Sequence, residues 1–298
     1  MLFNPLKYFV ETARHGSIRA ASERLNIAAS AISRHIQIFE MDAGTPLFER
    51  HARGMGLTPA GEIYMRYAQN VLAEAENTQL QIDALKGLKR GHIRICCVEG
   101  VVAGPLADTL ACFKRDFPEI TFSLRVLSTA TVMQTVRDGE ADVGIAFQAS
   151  PMGGVYIHHR IVDPLRAIVM PGHPFAGKSG ITLRELVRHP VAIPDWAFGI
   201  RQVMEAACHV QQLAVNISLE ANSIEALRSY ARTGAGVTVL PSLVVKLDLR
   251  RGDCVAVPIR ETLFEQSSMD IVVREGRELT PLIHEFLAYM ITSFEAGT

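Results

Sequence analysis

The 298-residue chain has one tryptophan, five cysteines and a net charge of only −1. No apolar run approaches the roughly 18 residues a membrane-spanning helix needs, which excludes a bundle of spans. The odd cysteine count, without zinc-ligand spacing, excludes a disulfide scaffold and a zinc module and fits a reducing compartment. No charged-then-apolar leader precedes the first helical pattern, so the expected location is the cytoplasm. Catalytic signatures are missing too: there is no Gly-x-Ser-x-Gly, no Gly-x-x-x-x-Gly-Lys-Ser/Thr and no histidine pair at i, i+4. His158 and His159 are adjacent, so a strand would send them to opposite faces. The expectation is a non-enzyme with no catalytic residue, metal or cofactor.

At 48% hydrophobic and 20% charged, the chain can bury a sizeable core spread over two or three domains. Its charge is unevenly placed. Residues 1–58 carry seven cationic against five anionic side chains, a net +2 that leaves −3 for the remainder. A basic head on an acidic body points to one module that meets phosphate and another that avoids it.

That head has the pattern of three short helices and a hairpin. Leu6, Phe9, Val10 and Ala13 fall at i, i+3, i+4 and i+7, with Pro5 at the entrance and Gly16 at the exit. Ser17 can cap a second helix carrying Ala20, Ala21 and Leu25. Asn26 to Ala28 makes a turn, and a third helix points Ile32, Ile36 and Phe39 inward. Ser30, Ser33, Arg34 and Gln37 are left on or near the opposite face, where they can meet bases or phosphates. After Gly44 and Pro46, residues 47–57 read as two short strands about a glycine turn, with Arg50, His51 and Arg53 placed to touch the DNA backbone or minor groove. Residues 1–58 therefore read as a winged helix-turn-helix.

Thr58 and Pro59 form a cap and a favoured first helical residue, and no further proline occurs before Pro105. A long linker helix over 59–91 follows. Tyr64, Ala68, Val71, Ala75, Thr78, Ile82 and Leu85 alternate steps of four and three, a heptad seam that asks for a second helix. It can be satisfied by this chain's own body or by a second copy. Leu88 to Gly91 ends the helix with cations and a glycine.

From His92 onward, strand and helix patterns alternate, as in parallel sheets with helices on their faces. The pattern gives two α/β lobes, 92–162 with 269–298 and 163–268, crossed near 162–164 and 264–268. In such folds a ligand sits beyond the carboxyl ends of the strands, near helix N-termini. That rule selects Glu99, Gly100, Val101 and Val102; Ser128, Thr129, Ala130 and Thr131 before a helix; Phe198, Gly199, Ile200 and Arg201 before another; and Asn222, Ser223 and Ile224 before a third. Singly, Ser128, Thr129 and Ser223 read most simply as helix caps. Together with Arg201 they would suit a carboxylate, while Phe147, Phe198 and Trp196 could supply an apolar wall. The expected ligand is a small organic anion, aromatic or not; Glu99 stands against it, since a carboxylate in the cleft would repel an anion or would prefer an amine on the ligand.

Phe9-Val10, Gly16-Ser17, residues 20–25 (Ala-Ala-Ser-Glu-Arg-Leu), Ser33-Arg34, residues 46–50 (Pro-Leu-Phe-Glu-Arg) and residues 57–61 (Leu-Thr-Pro-Ala-Gly) resemble the N-terminal signature of LysR-type transcriptional regulators. The resemblance extends through nearly the whole chain. It implies a multidomain protein: a DNA-binding winged helix-turn-helix, a dimerisation linker helix and a two-lobed α/β effector domain of periplasmic-binding-protein-like fold. It implies double-stranded DNA and a small-molecule effector as partners, assembly into homodimers and homotetramers, and RNA polymerase as a contact. Where that family usually carries a hydroxyl cap and a glutamine at the start of the recognition helix, this chain has Ala28 and Ala29. The lost cap weakens the helix start by about 1 kcal/mol, and the lost amide removes an adenine reader.

Three other classes compete. An enzyme on the same body lacks any motif. A thiol-based redox regulator would rest on Cys208 alone, because Gly199 stands where peroxide-responsive relatives place the attacking thiol. A transport-type binding protein would have no use for the head. Cys96 and Cys97 lie in a predicted buried strand and read as core.

Overall fold

The structure, a computed structural model, describes residues 4–51, 54–85 and 90–296. It has two compact units, one built on residues 1–89, the other on 90–137 and 141–298.

The first unit runs α1 (Asn4–His15), α2 (Ile18–Leu25), α3 (Ala29–Ala43), β1 (Phe48–His51), β2 (Gly54–Leu57) and α4 (Pro59–Leu85). Local chemistry sets the breaks. Gly16 turns out of α1 at φ +61, and the Ser17 hydroxyl accepts the Ala20 N–H at 3.4 Å. Asn26 and Gly44 end α2 and α3 in the left-handed region. At the start of α3, Ala28 offers no side-chain bond, as expected from its missing hydroxyl. The core is Phe9, Ile32 and Leu47, with the Phe9 ring 4.9 Å from both Phe48 and Tyr64. The Glu40 carboxylate accepts the Leu47 and Phe48 N–H groups at 2.9 and 3.1 Å, which anchors the wing to α3. Gly61 seats α4 on that wing: a Cβ there would lie 2.0 Å from the Leu47 carbonyl oxygen.

The heptad seam divides. Tyr64, Ala68 and Val71 pack into the head's own core, with Ala68 fully buried. Ala75 is half-buried, Thr78 and Ile82 are exposed, and the Leu85 side chain lies outside the description. For the first two turns, then, the internal alternative prevails, because Phe9 and Phe39 already present an aromatic face to Tyr64.

The second unit comprises β3 (Gly91–Cys97), α5 (Ala107–Asp116), β4 (Ile120–Val126), α6 (Thr129–Arg137), β5 (Val143–Phe147), β6 (Val155–Val162), β7 (Leu165–Val169), α7 (Leu183–Leu186), β8 (Val191–Pro194), α8 (Gly199–Val210), β9 (Ile217–Ala221), α9 (Ile224–Arg232), β10 (Val237–Pro241), α10 (Ser242–Arg251), β11 (Val255–Pro258), α11 (Thr262–Glu265), β12 (Ser268–Arg274) and α12 (Pro281–Glu295). Two five-stranded sheets result, ordered β4-β3-β5-β12-β6 and β11-β7-β10-β8-β9. They are mixed, not purely parallel: β12 runs antiparallel to β5 and β6, and β7 antiparallel to β10 and β11. The antiparallel members flank the places where the chain changes sheet, between β6 and β7 and again between β11 and β12. These passages are joined by the Asp163 N–H, which donates to the Ser267 carbonyl at 2.9 Å. Asp163 is 1% exposed, and its carboxylate caps α10 by accepting the Ser242 and Leu243 N–H groups, each at 2.9 Å.

Candidate functional site

The carboxyl ends of β3, β4, β5, β8 and β9 converge on one cavity of about 230 Å³. The first sheet supplies Val98, Glu99 and Gly100 after β3, Val126 to Thr129 after β4, Phe147 from β5 and Met269 from β12. The second supplies Ala197 to Ile200, Asn222, Ile224 and Val244. Two glycines let the walls approach. A Cβ on Gly100 would meet Val244 Cγ2 at 2.8 Å, and one on Gly199 would meet Phe147 Cδ1 at 2.9 Å. No lysine, arginine or histidine is among the lining residues.

The Ser128, Thr129 and Glu99 side chains at the cavity each bond within the protein. The Ser128 hydroxyl accepts the Thr131 N–H at 3.4 Å and bonds the Thr131 hydroxyl at 2.9 Å, capping α6. The Thr129 hydroxyl donates to the Phe147 carbonyl and accepts the Phe147 N–H, both at 3.2 Å, which fixes the aromatic wall. Glu99 reaches the start of α9, where Oε1 accepts the Ser223 hydroxyl at 3.1 Å and the Ile224 N–H at 2.9 Å. The start of α8 differs, because Phe198 gives it no side-chain cap. Among the described residues, the Gly199 and Ile200 N–H groups make no hydrogen bond.

Of the candidate effector residues, Glu99, Gly100, Ser128, Thr129, Phe147, Phe198, Gly199, Ile200, Asn222 and Ile224 line the cavity. Val101, Val102, Ala130, Arg201 and Ser223 do not. Val101 is fully buried in the core behind the wall, and Ser223 acts through Glu99. Arg201 is the largest departure from expectation. Its guanidinium binds Glu205 at 2.7 Å, Glu220 at 3.0 Å and the Pro194 carbonyl at 3.2 Å, and lies 4.8 Å from the Trp196 ring. Its position on α8 turns it away from the cavity and takes Trp196 with it as a stacking partner. Sequence reasoning missed Val98, Val126, Leu127, Ala197, Val244 and Met269. Most of these flank the selected segments. Met269 follows the second sheet crossing and Val244 lies on α10, and neither carries a local signal.

Cys208 is buried at 2% exposure, and burial beside Glu205 and Glu261 pushes its thiol up to about 11. Burial likewise drives Cys97 up to about 12, as a core strand requires. Neither favours a thiolate near neutral pH. Among the described residues, no His, Cys, Asp and Glu grouping could hold a metal ion, and no helix is long and apolar enough to cross a membrane.

On the head, α3 presents Ala28, Ala29, Ser30, Arg34 and Gln37 as exposed residues, with Ser33 half-buried beside them. Arg34 makes no ion pair among the described residues, whereas Arg14 and Arg24 are held by Glu11, and Arg19 by Glu23. Arg53 and the side chain of Arg50 lie outside the described residues.

Two family models account for most of the chain. The bacterial regulatory helix-turn-helix protein of the lysR family matches residues 3–62, and the LysR substrate binding domain matches residues 86–295. The chain belongs to the LysR family. It is a transcription regulator with a DNA-binding helix-turn-helix head and an effector-binding two-lobed body. Among curated LysR-type relatives, the transcriptional activator CmpR of Synechocystis is 25% identical, over 97% of this chain and 94% of its own. The transcriptional dual regulator GltC of Bacillus subtilis is 26% identical over 99% and 98%. Among solved structures, a full-length OxyR variant from Pseudomonas aeruginosa superposes with a TM-score of 0.76 at 20% identity, covering 100% of this chain and 96% of that one. Full-length CbnR with its target DNA gives 0.61 at 20% identity, covering 98% and 100%.

Proposed function

We propose that this LysR-family regulator binds its effector in the cavity at the strand ends, and that the effector is a small, partly apolar compound bearing a carboxylate. The observation that carries this reading is the uncapped start of α8 facing a cavity with no cationic side chain. Free N–H groups and the positive end of a helix hold an anion there without an arginine. Phe147, Phe198 and Leu127 take the apolar part. In the head, α3 is the recognition helix, with Ser30, Ser33, Arg34 and Gln37 toward the groove and Ala28 and Ala29 offering only methyl contacts to thymine. Arg50 and Arg53 are the wing's phosphate contacts. The linker helix α4 is the dimerisation element, and the part of its seam not taken by the head's core, half-buried Ala75 with exposed Thr78 and Ile82, meets a second copy. The protein turns over no substrate, and as a reader of the chromosome it works in the cytoplasm.

Titrating full-length protein against genomic fragments at low ionic strength, with and without a panel of small carboxylic acids, tests the reading. Selective binding of some fragments, altered by at least one acid, is expected. Ala197→Trp, at the exposed rim of the cavity, should keep DNA binding and lose the response. Absence of any fragment preference, or a full response in Ala197→Trp, would overturn it.

A further inference from the structure

Glu99 places a carboxylate in the wall of a largely apolar cavity. One of its oxygens, Oε1, is engaged by Ser223 and Ile224 at the start of α9. The other, Oε2, makes no hydrogen bond among the described residues, and no cationic side chain shares the cavity. This has two consequences. The positive end of α9 is already satisfied by the protein's own acid, so a ligand carboxylate is left with the starts of α8 and α6. A ligand that was only an anion would also bring a second negative charge into about 230 Å³ beside Glu99, where the low dielectric of the walls makes repulsion strong. A ligand ammonium removes both difficulties by pairing with the free oxygen through a charge-assisted hydrogen bond.

We propose that the cavity is built for a zwitterion, with an ammonium on Glu99 and a carboxylate at the start of α8, joined through an apolar skeleton against Phe147 and Phe198. This rests on the reading of the cavity as the effector site. Size narrows the class. A dry cavity of about 150 Å³ accommodates benzene, so this one takes roughly nine non-hydrogen atoms, the size of a small aliphatic amino acid.

The test is calorimetric, on full-length protein and on Glu99→Gln. The substitution keeps an acceptor for Ser223 and Ile224 while removing the charge, and its melting temperature without ligand shows that it folds. The probes are leucine, valine and methionine, each beside its deaminated acid and its decarboxylated amine. In the wild type at least one amino acid should bind about tenfold or more tightly than its deaminated acid, and in Glu99→Gln that order should reverse. The proposal is overturned if the acid binds the wild type as tightly as the amino acid, if the order survives Glu99→Gln, or if no amino acid binds at millimolar concentration. Acids that bind the wild type equally well and are lost in Ala197→Trp would overturn only the ammonium and leave the cavity as the effector site. No binding by any probe, together with an unaltered DNA response in Ala197→Trp, would remove the cavity reading and the proposal with it.

Discussion

Arg201 is a case in which residue type and sequence position gave the wrong role. Beside an aromatic pair at a helix start it has the makings of an anion receptor, but its guanidinium is 6% exposed and fully engaged by Glu205, Glu220 and the Pro194 carbonyl. Arg201→Met should therefore destabilise the body by about 1–2 kcal/mol in thermal or denaturant unfolding. Its effect on affinity for a cavity ligand should stay within about twofold, less than any charge-assisted contact is worth. A large loss of affinity at unchanged stability would restore the receptor role. Asp163 makes the opposite point, because nothing in the sequence marks it. Burial raises its pKa from the ordinary 3.8 to about 6, against the helix-start N–H groups of Leu243 and Ser242. The folded state thus holds its proton more tightly than the unfolded state, so this group's contribution to stability is full below pH 3.8 and is lost as pH rises to about 6. Asp163→Asn should flatten the fall in melting temperature between about pH 4 and 6, a difference of the order of 3 kcal/mol. A carboxyl resonance assigned to Asp163 by NMR should titrate near 6.

Among the elements, those with strong local signals were legible in the sequence. The apolar stripes of α1 and α3, the Ser17 and Thr58 caps and the near-continuous apolar runs of β3 and β5 all have their cause within a few residues. The elements that were not legible are instructive. Strand β6 reads Val-Tyr-Ile-His-His-Arg-Ile-Val, its polar middle half-exposed at a sheet edge. Helix α10 opens on Leu243, Val244 and Val245, which favour strand locally, and becomes helical because its first turn is capped by Asp163, some eighty residues earlier. The cavity divides in the same way: strand-end segments were found by rule, while Val244 and Met269 were placed by long-range topology. Helix α3 offers a direct check on local chemistry. Ala28→Ser supplies the hydroxyl its start lacks and should stabilise the head by about 0.5–1 kcal/mol, read as a higher unfolding midpoint for the transition that includes Tyr64. No change would mean that the Ala28 backbone is not free to present the cap.

For the whole molecule, the small net charge conceals a division of labour between a basic head and an acidic body. With only a net +2 on residues 1–58, one head releases few counterions, and tight binding depends on two heads sharing one DNA. Affinity for a preferred fragment should fall steeply between low and physiological salt. Arg34→Ala should weaken binding at every salt concentration and reduce the slope of log K against log salt by about 1 per head. An unchanged slope would place Arg34 off the phosphates.

The bond between Asp163 and Ser267 sets how the body can move. Two chain passages lying side by side and tied together behave as an axle with little play, and Pro164, with its fixed φ, stiffens one of them further. Tied passages of this kind favour a pivot over a slide, and the pivot is the motion on which a ligand at the strand ends would act. A ligand bound at the strand ends shifts the angle between the two sheets only as far as its affinities for the two arrangements differ.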